Sequence, residues 1–335
     1  RWKRDWSARS NTSAASAERG VLKRLFFAAA GSAPVIAARL RKLRSGTVLT
    51  ILNFHRVAPD DRSSYPPLEP QLFEEVVRFC RREFEPVTFG ELDGYRGGAS
   101  PAVILSFDDG YRDFAEHAMP ILRRYGVRVN HNIIPAAVES GLPPLNVHVQ
   151  DFIGRAPSAV LAAFAVPGLD ALNLREPRER LGSQVSSFIK SKPMAEQKLL
   201  ADVLLPQMRA LDGFAPTPMM SLSEVREAAA QHEIGAHSME HATLSAESDD
   251  YVREDARACQ QWFRERFGLE PDVYALPNGA GTERTAAILR AEGYRHILWT
   301  GERRSELGAA DHPRFTITGS SKNEVRFRAT GWERR

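Results

Sequence analysis

The chain has 335 residues, of which 43% are hydrophobic, and a formal net charge of +3. This length can bury one large α/β core or two small ones, and no apolar run approaches the roughly 20 residues that a membrane-spanning helix needs. The two cysteines exclude a disulfide-rich scaffold. Cys80 and Cys259 fall on the apolar faces of predicted helices, which favours buried free thiols and leaves the redox compartment open.

The positive charge is concentrated in residues 1–46, which carry eleven Lys and Arg residues against Asp5 and Glu18. Residues 47–335 are therefore mildly acidic, with a net charge of −6. This distribution argues against a nucleic-acid partner for the folded part of the chain. Residues 1–20 are polar and without periodicity, which predicts disorder.

Residues 21–44 form an apolar stretch with basic residues on both sides. A second basic cluster directly behind an apolar run is not typical of a signal peptide. The pattern fits a helix lying on an anionic membrane surface, and it equally fits a helix packed on the domain with a solvated basic face. The first interpretation predicts a cytoplasmic protein attached peripherally to the inner membrane face; export is the alternative. The sequence does not indicate an oligomeric state.

From residue 47 onward, short apolar runs alternate with amphipathic helical patterns, which predicts an α/β protein with a parallel sheet, open or closed into a barrel. The predicted strands are 47–54, 87–89, 102–107, 127–134, 232–237, 273–276 and 295–299. Helical spacing is seen over 72–80, 114–125, 252–267 and 283–292, with a capping box at Ser221 and Glu224 before another helix.

Residues 141–220 interrupt this alternation. They begin with GLPPLN and contain a helical run near 195–211. We interpret them as a helical insertion between two strands. The insertion is either a lid over a site or a surface elaboration without a functional role.

Three short polar segments each follow a predicted strand; they read SFDDG, HSMEH and ALPNG. In the first, Asp108 and Asp109 are adjacent, so at a strand end their carboxylates point in opposite directions. One could bind a metal ion while the other binds a water molecule. The simpler alternative is an Asp-Asp-Gly turn, which is common at strand ends.

In the second segment, His237 and His241 are four residues apart and can reach one point from a helical turn, the spacing of helical zinc sites. An unrelated pair of surface histidines is the alternative.

In the third segment, Pro277, Asn278 and Gly279 form a turn whose free backbone N–H groups could bind an oxyanion. Active sites of β/α barrels lie at the carboxyl ends of the strands, so the three segments are expected to meet. Two histidines and one carboxylate leave an open zinc position for water.

The order FDDG, HSMEH, ALPNG resembles the polysaccharide deacetylase family, the NodB-homology domain of carbohydrate esterase family 4. NFHRV and FDDGYRDFAEHAMPILRRYGV are similar to its bacterial exopolysaccharide branch, and the resemblance covers about residues 47–318. It implies a distorted (β/α)7 barrel over 47–335, with the helical insertion at 141–220 and the basic arm at 1–46. It also implies a divalent metal, usually zinc, and hydrolysis of N-acetyl groups on an amino-sugar poly- or oligosaccharide of the cell envelope or exopolysaccharide.

The resemblance implies a role for individual residues. Asp108 becomes the general base, and the backbone N–H of Asn278 becomes an oxyanion donor. The implied metal ligands are Asp109, His237 and His241. The implied substrate contacts are Tyr111, Pro277, Gly279 and His55.

The chain also departs from the family pattern. Asn278 stands where an aromatic residue is usual, no Arg precedes ALPNG at the family position, and Asn-His-Asn over 130–132 replaces an apolar strand. No late Leu-x-His segment supplies a general acid. Asp108 could return the proton to the departing amine, which we favour, or a histidine could do so: His55, His131, His296 or His312.

Two other functions remain open on the sequence alone. A deformylase or another C–N hydrolase acting on a lipid-linked sugar would use the same metal ligands. A catalytically inactive saccharide-binding protein would explain the absent acid, although a buried charge cluster without a role is costly.

Overall fold

The computed structural model describes residues 22–44, 48–95 and 100–332. The predicted disorder over residues 1–20 lies outside these ranges. The strands are β1 Val48–Phe54, β2 Glu85–Pro86, β3 Ala102–Phe107, β4 Asn130–Ile133, β5 Glu233–Ala236, β6 Val273–Ala275, β7 His296–Thr300, β8 Ser305–Glu306 and β9 Asp311–Thr316.

Seven parallel strands close into a barrel in the order β1-β3-β4-β5-β6-β7-β9, and β9 returns to pair with β1. The predicted distorted (β/α)7 barrel is therefore confirmed. β2 pairs only with the first two residues of β3, and β8 runs antiparallel to the start of β1, so both lie outside the closure. Inward positions alternate along each strand. In β1 they change from apolar Leu49 and Ile51 to polar Asn53 toward the carboxyl end.

Helices surround the barrel and cap its carboxyl end. They are α1 over residues 22–30, α2 Ala33–Arg44, α3 Pro70–Glu83, α4 Met119–Tyr125, α5 Pro135–Ser140, α6 Leu145–Arg155, α7 Ser158–Ala163, α8 Arg178–Lys190, α9 Met194–Arg209, α10 Leu222–Gln231, α11 Asp249–Phe267, α12 Glu283–Ala291 and α13 Lys322–Ala329. The predicted capping box is present, since Ser221 accepts from the Glu224 N–H and the Glu224 side chain accepts from the Ser221 N–H.

Two strand predictions require correction. Residues 87–89 are not a strand, because Thr88 begins a 3₁₀ helix over Phe89–Gly94 through its capping box with Glu91. The seventh barrel strand is β9, which the sequence did not predict. β9 contains a proline, and its inward side chains are His312 and Arg314 rather than apolar residues. Its pattern therefore lacks the alternation that predicts a half-buried strand.

Helices α6 to α9 lie between β4 and β5 in the chain and bury an apolar cluster of their own, separate from the barrel core. Close backbone contact fixes this helical segment against the loop that follows β1. A Cβ atom at Gly182 would lie 1.8 Å from Ser64 Oγ, and one at Gly154 would lie 2.2 Å from Arg62 O. Arg155 also pairs with Asp61. These helices therefore cover one side of the barrel mouth.

Helices α1 and α2 pack on the barrel through Phe27, Ile36 and Leu40, which are buried. The Phe27 ring lies 5.7 Å from that of Phe327 in α13. The opposite face of α1 leaves Leu22, Leu25 and Phe26 more than half exposed. Within the described ranges, no helix has both the length and the apolar character needed to cross a membrane.

Candidate active site

The three predicted metal ligands lie beyond the carboxyl ends of two strands, β3 and β5, which are separated in the barrel by β4. Asp109 is the second residue after β3 and has a φ of 79°, and the next residue, Gly110, has a φ of 89°. His237 follows β5. Left-handed backbone is costly for residues other than glycine and is enriched at functional sites. The DDG turn therefore holds Asp109 in a specific orientation toward the barrel axis.

His237 and His241 do not lie on a helical turn, which corrects the sequence interpretation. Residues 237–241 form a bent loop, in which Ser238 has a φ of 61° and His241 a φ of 64°. The two left-handed residues fold the loop back on itself. As a result, both imidazoles still face the same carboxylate.

Nε2 of His237 lies 3.2 Å and Nε2 of His241 lies 3.6 Å from Oδ1 of Asp109. Among the described residues, this buried oxygen has no hydrogen-bond partner. Nδ1 of His237 lies 2.9 Å from the carbonyl of Ala275, which can only accept, so Nδ1 carries a hydrogen and Nε2 is the ring nitrogen that faces Asp109. Burial lowers the pKa of His241 to about 3, so His241 is neutral.

These three donors fit a divalent metal ion. Their ligand atoms lie within 4.8 Å of one another, and all three residues are buried. Lone pairs that converge in a buried site repel one another unless a cation lies between them. A proton on His237 would satisfy one of these contacts, whereas a metal ion would satisfy all of them. Two imidazoles and one carboxylate are also a ligand set of catalytic zinc sites.

A buried carboxylate from α11 supports the loop that carries both histidines. Oδ1 of Asp255 accepts from Ser238 Oγ at 2.8 Å and from the Met239 N–H at 2.9 Å. Its Oδ2 accepts from the Tyr274 hydroxyl at 2.5 Å. Because one residue holds both the strained loop and the adjacent strand, Asp255 positions the two imidazoles without touching the candidate metal site.

Asp255→Asn is expected to weaken zinc binding by about 10–100-fold, the usual cost of losing a group that orients metal ligands. The asparagine amide cannot accept from both Ser238 and Tyr274, so the loop would lose one of its supports. Isothermal titration of the metal-free protein with zinc would measure the change. Ser248→Ala removes the cap of the same helix and is the control, with zinc affinity close to that of the original protein. Equal affinity of the Asp255→Asn variant and the original protein would contradict this role.

Asp108, the predicted base, is held by a buried arginine. Arg314 Nη1 donates to Asp108 Oδ1 at 2.8 Å and Nη2 donates to Oδ2 at 2.7 Å. Asn132 Nδ2 also donates to Oδ1, at 2.8 Å. Burial alone would raise the pKa of Asp108, but the charge and the hydrogen bonds of Arg314 lower it well below its usual range. Asp108 is therefore a fixed, ionised carboxylate.

Arg314 was not predicted as a site residue from the sequence. The residue is fully buried and comes from β9, the strand that was not predicted. The number of predicted strands could have indicated a missing strand. Without residues 87–89 the sequence predicts six strands, one fewer than the implied seven-stranded barrel needs.

A cavity of about 370 Å³ opens beside the candidate metal site. It is within the size range of small-molecule sites. Of the predicted residues, His55 and Asn278 line it together with the three metal-ligand candidates. His55 Nε2 lies 3.9 Å from Asp108 Oδ2. Asn278 has a φ of 61° and donates from Nδ2 to Thr243 Oγ1 at 2.9 Å.

The other predicted substrate contacts are placed differently. Tyr111 and Pro277 are buried and do not line the cavity, so their placement does not support contact with a substrate. Both were assigned by motif position, which does not report burial. Gly279 is required by the backbone conformation instead, because its φ is 63° and a Cβ atom there would lie 1.9 Å from Thr300 Oγ1.

Three of the four histidines proposed as acids lie away from the site, which corrects those predictions. His131 points outward to Phe114, with ring centroids 4.1 Å apart, because Asn130 and Asn132 occupy the inward positions of β4. His296 and His312 bond to each other at 2.9 Å near the opposite end of the barrel, beside Phe89. Of the four, only His55 lines the cavity.

A closed parallel barrel with a candidate metal centre at the strand ends defines the structural class of this chain. The polysaccharide deacetylase family model matches residues 208–297, which include the HSMEH and ALPNG segments. A curated relative, an uncharacterized 30.6 kDa protein in the fumA 3′ region of Geobacillus stearothermophilus, is 34% identical over 70 residues. That alignment covers 21% of this chain and 26% of the relative, about a quarter of its length.

Solved structures share the fold. IcaB from Ammonifex degensii has a TM-score of 0.55 at 20% identity, covering 85% of this chain and 98% of that one. The Streptococcus pyogenes deacetylase PplD in complex with acetate has a TM-score of 0.53 at 15% identity, covering 81% and 92%. The family match over residues 208–297 confirms the resemblance to the polysaccharide deacetylase family, and the solved structures share its barrel fold.

Proposed function

We propose that this protein is a zinc-dependent hydrolase that removes N-acetyl groups from an amino-sugar poly- or oligosaccharide. The observation that carries the proposal is the buried, unpaired Asp109 Oδ1 that faces His237 and His241 beside the cavity. The family match supports hydrolysis of a C–N bond on a saccharide.

Asp109, His237 and His241 would hold the metal. When bound, a zinc ion supplies Lewis acidity toward the acyl carbonyl and lowers the pKa of a coordinated water. The protein contributes the orientation of these ligands, since the Ala275 carbonyl fixes the His237 tautomer and Asp255 fixes the loop.

Asp108 is proposed to accept the proton of the attacking water on Oδ2. Asn132 and Arg314 both donate to Oδ1, whereas among the described residues Arg314 alone donates to Oδ2, which faces His55. The bidentate contact fixes the direction of the remaining lone pair. General-base catalysis requires this geometry first and a suitable pKa second.

We propose His55, in place of Asp108, as the proton donor to the amine. A carboxylate paired with Arg314 binds a proton weakly, so it would release that proton readily to a neighbouring base. His55 is such a base, since its Nε2 is 3.9 Å from Asp108 Oδ2 and its ring lines the cavity. The proton would pass from water to Asp108, then to His55, and finally to the leaving nitrogen.

The Asn278 N–H is proposed to stabilise the oxyanion. In the PNG turn, the Gly279 and Ala280 N–H groups donate to the Leu276 and Pro277 carbonyls at 2.8 and 3.1 Å. They are therefore not available to a substrate. The left-handed backbone of Asn278 keeps its side chain bonded to Thr243 and leaves the turn open toward the cavity.

His55→Gln is expected to lower kcat by about 10²-fold while zinc content stays unchanged, because a general acid typically contributes 10²–10⁴-fold. Acetate release and metal analysis would measure the two quantities. His296→Gln is the matched control, since His296 lies at the other end of the barrel. Equal kcat values for the two variants would assign the proton transfer to Asp108 alone.

The function is tested by incubating the purified protein with an N-acetylated chitooligosaccharide and measuring released acetate. Activity should disappear on chelation and return with zinc. A matched N-formylated oligosaccharide identifies a deformylase if formate is released much faster than acetate. Binding of the saccharide with no release of either acid would show the protein to be a binding module.

We also propose that the exposed face of α1 contacts anionic membrane. Leu22→Ser with Leu25→Ser should reduce binding to phosphatidylglycerol vesicles by about tenfold or more, because fully burying one leucine stabilises by about 1.5–3 kcal/mol. Co-sedimentation would measure it. Leu199→Ser, which alters an exposed leucine of α9, should leave binding unchanged. Equal binding of all three proteins would contradict the proposal.

Deleting residues 1–44 would not be a suitable test of membrane binding, because it would also remove the buried side chains of Phe27 and Leu40 from the packed structure.

A further inference from the structure

The helical segment contributes one wall of the cavity, and that wall is polar. On α8, side chains at i, i+3, i+4 and i+7 lie on one helix face. The lining residues from α6 and α8 include Asn146, Gln150, Ser183, Ser186, Ser187 and Lys190. Polar residues at helical spacing usually form a solvated outer face. Here the polar face is turned toward the metal-ligand candidates instead.

This wall is held in a defined position. Ser64 Oγ donates to the Gln150 carbonyl at 2.7 Å, and Gly182 of α8 lies directly against Ser64. A larger residue at position 182 would force α8 away from the loop. The close approach therefore brings the α8 face to a fixed distance from the barrel mouth.

Lys190 places a positive charge in this wall. Within the described ranges, no carboxylate forms an ion pair with it, and Asp109 is the sole carboxylate that lines the cavity. Asp109 is a metal-ligand candidate, and the nearby Asp108 is already neutralised by Arg314. Lys190 thus has no counter-ion of its own at the cavity.

Hydrogen-bond donors line the same cavity as the lysine. Among the residues described, the Gln150 side-chain amide makes no hydrogen bond, and Asn146 Nδ2 makes only a long one, 3.4 Å, to Ser186 Oγ. The serine hydroxyls of α8 can rotate to donate. An ammonium group with adjacent amide and hydroxyl donors is the chemistry that binds an oxyanion.

We propose that Lys190, with the amides and hydroxyls of α6 and α8, forms a subsite for an anionic group on the saccharide substrate. The ligand is a carboxylate or a phosphate on the sugar that carries the acyl group or on its neighbour. This inference rests on the proposed function and defines its substrate class. The helical segment then determines specificity. It supplies the Lys190 ammonium, which an anionic saccharide would pair and a neutral saccharide would leave without a counter-ion.

The test compares three deacetylated ligands that cannot be turned over: glucosamine, glucosamine 1-phosphate and glucosaminuronic acid. Calorimetry on the zinc-loaded protein should show that one or both anionic sugars bind about tenfold or more tightly than glucosamine, as expected from a charge-assisted hydrogen bond. Which sugar is preferred distinguishes phosphate from carboxylate. Lys190→Met should abolish the preference, and Lys190→Arg should retain most of it.

Lys192→Met is the matched control, because Lys192 pairs with Glu196 outside the cavity. It should keep the full preference. Lys190→Gln, a second neutral variant, guards against misfolding of Lys190→Met. Equal binding of all three sugars by the original protein, or a preference that survives in Lys190→Met, would overturn the subsite. Acetate release from neutral chitooligosaccharide would then show that the proposed function itself still holds; no release from any N-acetylated sugar would overturn both.

Discussion

Arg314→Met is expected to lower the free energy of unfolding by about 3–5 kcal/mol, the cost of breaking a buried ion pair by removing one partner. The guanidinium is fully buried and contacts both oxygens of Asp108, so its loss leaves a carboxylate uncompensated inside the barrel. Its bonds to Asn53 and Ser106, each at 3.1 Å, are lost as well. Urea unfolding followed by fluorescence would measure the change.

The double variant Arg314→Met with Asp108→Asn is the informative control. If the penalty comes from an uncompensated charge, neutralising Asp108 should recover much of the lost stability. Arg314→Lys should lie between the original protein and Arg314→Met, because an ammonium cannot make the two parallel bonds. If the double variant lost the sum of the unfolding free energies lost by the two single variants, Arg314 would act by packing rather than by charge.

Much of the fold could be predicted because several barrel strands are continuous apolar runs. β3 is buried throughout and β1 is buried after its first residue, and both carry apolar residues that favour strands. β9 could not be predicted in this way. Its position between β7 and β1 is set by long-range pairing, and His312 and Arg314 fill inward positions with polar groups that only the rest of the barrel can satisfy. Local sequence carries no information about those partners.

The site was predicted to a similar extent. Strand ends and residue types were enough to bring Asp109, His237 and His241 together, because parallel strands of a barrel end on one side. The backbone of residues 237–241 was predicted wrongly as a helical turn. The left-handed conformations of Ser238 and His241 depend on support from α11, which the local sequence does not show. The cavity wall from α8 depends on how the helical segment docks, which local periodicity does not specify.

Asp108→Asn and Asp109→Asn are expected to fail in different ways. Asp108→Asn should retain zinc while kcat falls by about 10²–10⁴, the range for loss of a general base. Asp109→Asn should weaken zinc binding by more than about tenfold, because even partners that only orient ligands contribute 10–100-fold. Zinc content by elemental analysis and acetate release would be measured on the same samples.

Stability must be controlled in this comparison, because Asp108→Asn leaves the buried Arg314 without its counter-charge. Circular dichroism at the assay temperature would establish that the variant is folded, and adding Arg314→Met to it should restore stability without restoring kcat. Among the residues that the structure describes, Asp109 forms no ion pair with an arginine, so its variant should unfold near the original midpoint once zinc is removed from both proteins. Equal loss of zinc in the two single variants would mean that both carboxylates bind the metal, and the proton would then have to be accepted by His55.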